Sequence, residues 1–218
     1  AWDAPYTIIM TTTRYLLGLS LILLTFSGEA TSAALLQPLI DAANPGETLV
    51  LSPGTYAGPV KITSPLTIEG NNLVTIDGGG KGTVVVMATN GAQLRNLHLT
   101  NSGESYDQVD ACLQVRGNFN IIKDNVLDNC LFGVDLQQSD HNIVRRNHFN
   151  SSKPFSLGLR GDAIRLWYSM NNQVTDNEIN HFRDTVVWYS KDNLIARNLS
   201  RGGRYSLHFM YSQSNRVE

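Results

Sequence analysis

The residues best suited to chemistry lie near the end of the chain, in the stretch YSLHFMYS from Tyr205 to Ser212, which sets an imidazole and a thioether two positions apart. Both donor types suit copper, particularly Cu(I). Residues two apart on an extended strand share a face, so His208 and Met210 are expected as neighbours on the surface. Two donors do not close a coordination sphere, so a copper site here would be shared or transient and completed by a partner. The other histidines, His98, His141, His148 and His181, fall in turn regions without ligand spacing and are read as solvated or structural.

Two further sets of reactive residues can be weighed. Asp162 and Asp184 are candidates for an acid pair, since glycosidic hydrolysis needs two carboxyl groups about 5 to 10 Å apart. No adjacent aspartate pair and no Gly-His-Gly accompanies them, and an aspartate that binds its own backbone at a turn explains each more simply. No catalytic residue is therefore assigned, and the chain is read as a non-enzyme. Cys112 and Cys130 form no Cys-x-x-Cys motif and no zinc site. Their places in the repeat described below differ by three residues, which is expected to hold the Cα atoms beyond the roughly 7 Å limit for bridging and to leave two free thiols.

What positions these groups is a repeat. Asn-x-apolar elements recur at Asn96, Asn125, Asn147, Asn177 and Asn198, at intervals of 29, 22, 30 and 21 residues, and Asn120, Asn142, Asn172 and Asn193 each precede one of them by five. A short strand of small-apolar-x-apolar form follows the same rhythm, as CLQV at Cys112, GVDL at Gly133, AIRL at Ala163, TVVW at Thr185 and SLHF at Ser206. Brief alternating strands joined by polar turns are too short for helices and too regular for a sandwich. A coil of about 22 residues stacked at strand spacing accommodates them, and it lets asparagines hydrogen-bond along a column. The expected fold is all-β, a single-stranded parallel β-helix, with an amphipathic helix around Leu35 to Ala43 capping its N-terminal end.

Alternation along the recurring strand sends Leu113 and Val115, Val134 and Leu136, Ile164 and Leu166, Val186 and Trp188, and Leu207 and Phe209 inward. One outward column is then Gln114, Asp135, Arg165, Val187 and His208, and the next is Arg116, Gln137, Trp167, Tyr189 and Met210. A contiguous exposed apolar stripe on a soluble protein points to a partner or a ligand, as a docking or a sugar-stacking surface. The expected partner-binding residues are Arg165, Trp167, Tyr189, His208 and Met210. The two long intervals insert residues at one place in the repeat, around Asn101 to Asp110 and Ser151 to Asp162, so both loops should project from one edge.

The remaining features set the context. With 42% hydrophobic and 17% charged residues the composition is that of a soluble protein, and a net charge of -2 without a Lys/Arg cluster argues against nucleic acid. Residues 10–33 carry Arg14, an apolar run from Tyr15 to Phe26 and then small residues, the pattern of a secretory signal peptide; residues 1–9 lie upstream of its start methionine. Residues 34–60 are read as cap and first strands, and 61–218 as coils. The sequence stops part-way through a turn, as expected of a fragment of a longer chain.

The pieces DAANPGETLVLSPGTYAGPV, IDGGGKGT, NCLFGVDL, GDAIRLWYS and RYSLHFMYSQSNRV, in this order, resemble the periplasmic NosD family. The resemblance runs from about Leu35 to the last residue, and RYSLHFMYS is its most specific part. Alanine in GDAI and serine in YSLH stand where the family usually has glycine. The resemblance implies a right-handed parallel β-helix with carbohydrate-binding and sugar-hydrolysis (CASH) type repeats, exported to the periplasm. It further implies association with the membrane subunit and ATPase of an ABC transporter, with a copper chaperone and with nitrous oxide reductase, whose copper centres the family helps to mature. Copper would be transient and no cofactor tightly held. A secreted carbohydrate-active β-helix is the alternative.

Overall fold

The computed structural model describes residues 33–151 and 156–218. The expected signal segment and the residues upstream of it lie outside the described residues. From Ala33 onward the chain winds into a parallel β-solenoid of about 8 turns with about 22 residues per turn. Three strand faces are stacked along it. Strands such as Ile121–Lys123, Ile143–Arg145 and Gln173–Thr175 form one face, and Val126–Asp128, His148–Asn150 and Glu178–Asn180 form a second. These two merge into a single 14-stranded sheet because Thr67–Asp77 and Gln93–Thr100 run unbroken around the corner between them. The third face is a separate 7-stranded sheet that ends with Ile164–Trp167, Asp184–Trp188 and Tyr205–Met210.

The corners explain the asparagine spacing. At three bends of the coil a non-glycine residue takes a positive φ: Asp124, Arg146, Asp176 and Arg197 at one, Asn171, Asp192 and Ser214 at another, Tyr168, Tyr189 and Tyr211 at the third. A left-handed backbone opposes L side chains by roughly 1–2 kcal/mol, so something must hold it. The following residue does so. Oδ1 of Asn147, Asn177 and Asn198 accepts the backbone N–H of Asn125, Asn147 and Asn177 at 3.1, 3.0 and 3.0 Å. Asn142, Asn172, Asn193 and Asn215 repeat the arrangement at 2.8–3.0 Å from Asn120 onward. At the third corner the Oγ of Ser169, Ser190 and Ser212 accepts from Ser139, Ser169 and Ser190 at 3.1, 2.9 and 3.1 Å. The two asparagine columns expected from the intervals are therefore two hydrogen-bonded ladders, and serine supplies a third.

Inside the coils, leucine, isoleucine and valine stack into one continuous core with Phe149 and Phe182 edge-to-face at 6.3 Å. The small first residue of the repeating strand has a steric reason. A Cβ on Gly133 would stand 2.2 Å from the Ala163 carbonyl oxygen and 2.7 Å from the Phe149 ring. The helix Gln37–Ala42, entered through Pro38, sends Ile40 into the same core. Gln37 holds it against the first coil by accepting from the Lys61 amide at 2.7 Å and donating to the Lys61 carbonyl at 3.0 Å.

Two expectations are corrected here. Ile164 pairs with Thr185, Leu166 with Val187 and Trp167 with Trp188, so Val187 lies in the core while Val186 and Trp188 face outward. In TVVW either phase places a valine inside, so alternation does not decide the register, and a slip of one residue turns every side chain over. The cysteines are also bonded: Cys112 and Cys130 form a disulfide with Cα atoms 5.5 Å apart. Cys130 follows the corner at Asn129, where φ is positive, so its three-residue offset is folded around the coil instead of extending along a strand.

Candidate functional site

On the outward side of the 7-stranded sheet lies a cleft of about 350 Å³. Its floor is the end of the corrected outward column: Gln114, Asp135, Arg165, Val186 and His208 are in register, with Gln137, Trp167, Trp188 and Met210 beside them, and Arg165, Val186, Trp188, His208 and Met210 line the cleft. A bulge makes the last step possible. Asp184 pairs with Tyr205 and Val186 with His208, so the Tyr205–Met210 strand holds one extra residue between these pairs. Bulges re-aim the side chains that follow them. Without this one, Leu207 would face the cleft in place of His208.

The wall comes from the two insertions. Tyr106, from the first, donates its hydroxyl to the Leu159 carbonyl of the second and meets the Phe132 ring edge-on at 5.6 Å. Both loops thus reach the same edge of the solenoid, as their shared place in the repeat requires.

At the cleft, which Asp162 and Asp184 line, three buried carboxylates each face an arginine one coil further on. Asp135 accepts from Gln114 Nε2 at 3.2 Å and lies 3.3 Å from Arg165 Nε. Asp162 is held by Arg183 through Nη2 at 2.9 Å and Nε at 3.1 Å. Asp184 receives Arg204 and the Tyr205 backbone N–H, the latter at 3.0 Å. Burial lifts the Asp135 and Asp162 carboxyl groups above the usual range, against the pull of their arginines, and takes Asp162 to about 6. The simpler account of Asp162 and Asp184 as turn residues bonded to their own backbone does not hold, because their partners come from the next coil.

His208 and Met210 both line this cleft. Nδ1 of His208 is buried without a hydrogen-bond partner, 3.9 Å from an Asp184 oxygen, and Trp188 Nε1 is likewise buried and unpaired. An imidazole and a thioether on one face fit a soft metal by type, and the orphaned Nδ1 is consistent with an unused donor. No cluster of three or more His, Cys, Asp or Glu able to hold a metal exists among the described residues. The other histidines are engaged elsewhere: His98 with Asp128 at 2.9 Å, His148 with Glu178 at 3.3 Å, His181 with Asn150 Oδ1 at 3.4 Å, and His141 stacked on Phe119.

Of the sequence-selected residues, Arg165, His208 and Met210 meet in the cleft, and Trp167 adjoins it on the outward column. Tyr189 does not take the place between Trp167 and Met210; Trp188 does. The strand ends at Trp188, and Tyr189 sits at the corner in a ring ladder with Tyr168 at 4.8 Å and Tyr211 at 5.0 Å. Sequence reasoning missed Tyr106, Phe132, Arg183, Arg204 and Trp188. The recurrence of Arg-Asp at Arg183 and of Arg204 one coil on was the available signal.

These features define the class: a parallel β-solenoid with a charged, aromatic-walled cleft on one strand face. Among solved structures, an alginate lyase from Paenibacillus sp. str. FPU-7 matches with a TM-score of 0.55 over 76% of this chain and 72% of the lyase, and at 16% identity the likeness is one of fold. The model of the NosD family, described as periplasmic copper-binding protein (NosD), matches residues 151–218. A Pseudomonas aeruginosa protein described as probable ABC transporter binding protein NosD is 29% identical over 136 residues, 62% of this chain. The chain spans 32% of that relative's length. The chain is a β-solenoid whose residues 151–218 are similar to the NosD family, where the ordered sequence pieces also point.

Proposed function

We propose that this chain belongs to a periplasmic accessory protein of an ABC-transporter system that serves maturation of the copper centres of nitrous oxide reductase. It acts by presenting a docking surface, without catalysis of its own. The membrane subunit and ATPase of the transporter, a copper chaperone and the reductase are its partners. The observation that carries this reading is the position of the family match: residues 151–218 are the coils that contribute Arg165, Trp167, Trp188, His208 and Met210 to one outward face. His208 and Met210 offer two soft donors to a copper ion in transit, with the remaining ligands supplied by the partner.

The test is capture from an extract of periplasm and membranes, comparing the parent with Trp167→Ala/Trp188→Ala. Recovery of the transporter subunits by the parent and their loss with the double variant supports docking through this face. Equal recovery by both removes it. In parallel, Cu(I) is added under reducing conditions to the parent and to His208→Ala/Met210→Ala. If neither retains copper alone, the direct-binding part fails and the scaffold part stands.

A further inference from the structure

The charges at the cleft balance: Asp135, Asp162 and Asp184 each take up one of Arg165, Arg183 and Arg204. A charged occupant would lose its hydration there with no counter-charge to meet it, so the cleft selects an uncharged one. What its lining leaves unsatisfied is of one kind. Trp188 Nε1 and His208 Nδ1 are buried without hydrogen-bond partners, while no side-chain oxygen of a lining residue is left so. An indole nitrogen only donates, and Nδ1 of a neutral imidazole donates in one of its two tautomers. Buried donors in native structures are rarely left unpaired, so the occupant must bring acceptors. Because Val186 pairs with His208 and Trp188 with Met210, the two nitrogens belong to diagonal neighbours on adjacent strands. Strand separation and rise put their Cα atoms about 8 Å apart. The rest of the lining is largely apolar, with Tyr106, Phe132, Val186 and Met210.

Taking docking through this face as the premise, we propose that the cleft holds an uncharged, proline-containing segment of the protein partner in polyproline II form, its carbonyls accepting from Trp188 Nε1 and His208 Nδ1. Proline brings a carbonyl without an N–H, which suits a lining that lacks donors' partners and offers no unpaired buried acceptor. Carbonyls two and three residues apart in polyproline II are about 6 and 9 Å apart, which brackets the span between the two side chains. Pyrrolidine rings pack on aromatic faces, the mode by which aromatic-lined grooves take such segments, and the preformed helix loses little entropy on docking. An ordinary extended segment would bury amide N–H groups for which the lining holds no unpaired acceptor. The Tyr168–Tyr189–Tyr211 ladder is a poorer seat, because both faces of Tyr189 are covered by its neighbours and none of the three carries a buried unpaired donor.

Titration calorimetry with an acetylated, amidated proline decamer tests it, with a likewise capped Gly-Ser decamer and a glutamate-substituted proline decamer as comparison ligands. Saturable binding of the proline peptide, about tenfold tighter than either comparison, is expected. The indole N–H resonance of Trp188, assigned by its loss in Trp188→Phe, should move as it gains an acceptor. Trp188→Phe keeps a ring and removes the N–H, and should weaken binding about fivefold, with circular dichroism confirming its fold. Absence of saturable binding, equal affinity for a comparison peptide, an unmoved indole resonance, or unchanged affinity in folded Trp188→Phe overturns the proposal. The capture experiment above separates it from its premise. Transporter capture retained without proline binding overturns the proline assignment alone, and capture lost while the proline peptide still binds overturns the transporter reading alone.

Discussion

Asn172→Ala tests whether the corner ladders hold the coil together. Oδ1 of Asn172 accepts from the Asn142 backbone N–H at 2.8 Å and from Asn142 Nδ2 at 3.1 Å. Its Nδ2 donates to the Ser139 carbonyl at 2.9 Å and to Asn193 Oδ1 at 3.1 Å. Alanine strands the Asn142 N–H and the Ser139 carbonyl in a corner where Asn172 is only 1% exposed. Asn142 Nδ2 keeps Ser139 Oγ, and Asn193 Oδ1 keeps the Asn172 amide, so neither of these is orphaned. Two buried groups left unpaired, at about 1–3 kcal/mol each, give a loss of about 4 kcal/mol, at the upper end for a single substitution. The control is Asn215→Ala in the last described coil, where the same kinds of bond are made, to Ser190 O at 3.1 Å and from Asn193 N at 3.0 Å, at a more exposed corner. Water replaces the lost partners there, and the expected loss is about 1 kcal/mol. Urea unfolding followed by far-ultraviolet circular dichroism measures both through the transition midpoints, provided that the slopes agree. Hydrogen exchange at the Asn142 amide reports local opening, which a solenoid permits without global unfolding. Equal midpoints for the two variants would refute the claim that the interior ladder carries the corner's stability.

Two other outcomes follow from the geometry. Intact mass measured without reductant should be two units lighter than after reduction, and Cys112→Ser/Cys130→Ser should lose about 3 kcal/mol, the figure for a closed loop of this size; an unchanged mass on reduction excludes the bridge. Asp162 has a folded-state pKa of about 6, raised from 3.8 by burial, so the folded protein binds this proton more tightly than the unfolded chain does. Its favourable contribution is complete below about pH 4 and lost as pH rises through 6, with an upper bound of about 3 kcal/mol. Urea midpoints of the parent relative to Asp162→Asn should therefore fall between pH 4 and pH 7; a rise across that window contradicts the burial argument.

The asparagine intervals carried the architecture because a solenoid converts sequence separation directly into stacking. Residues one coil apart must meet, so Asn142 and Asn172, or Asn147 and Asn177, could be paired from spacing alone even across an insertion of eight or nine residues. The same logic brought the two insertions to one edge. It also placed His208 and Met210 on one outward face, since alternation within a single strand is local.

What the linear pattern left open is where local rules are degenerate. Two adjacent valines fit the core equally well in either phase, so only the hydrogen-bond register of the stacked strands decides that Val187 points in and Trp188 out. The left-handed corners end the alternation abruptly, which moves Tyr189 from the strand column into the tyrosine ladder and folds Cys130 back to Cys112. Composition and period thus sufficed for the stacked coil and the asparagine ladders, and alternation for the shared outward face of His208 and Met210. The cleft itself, with its arginine-bound carboxylates and the bulge that aims His208, exists only through contacts between successive coils, because those contacts select among backbone phases that are equally acceptable to each strand alone.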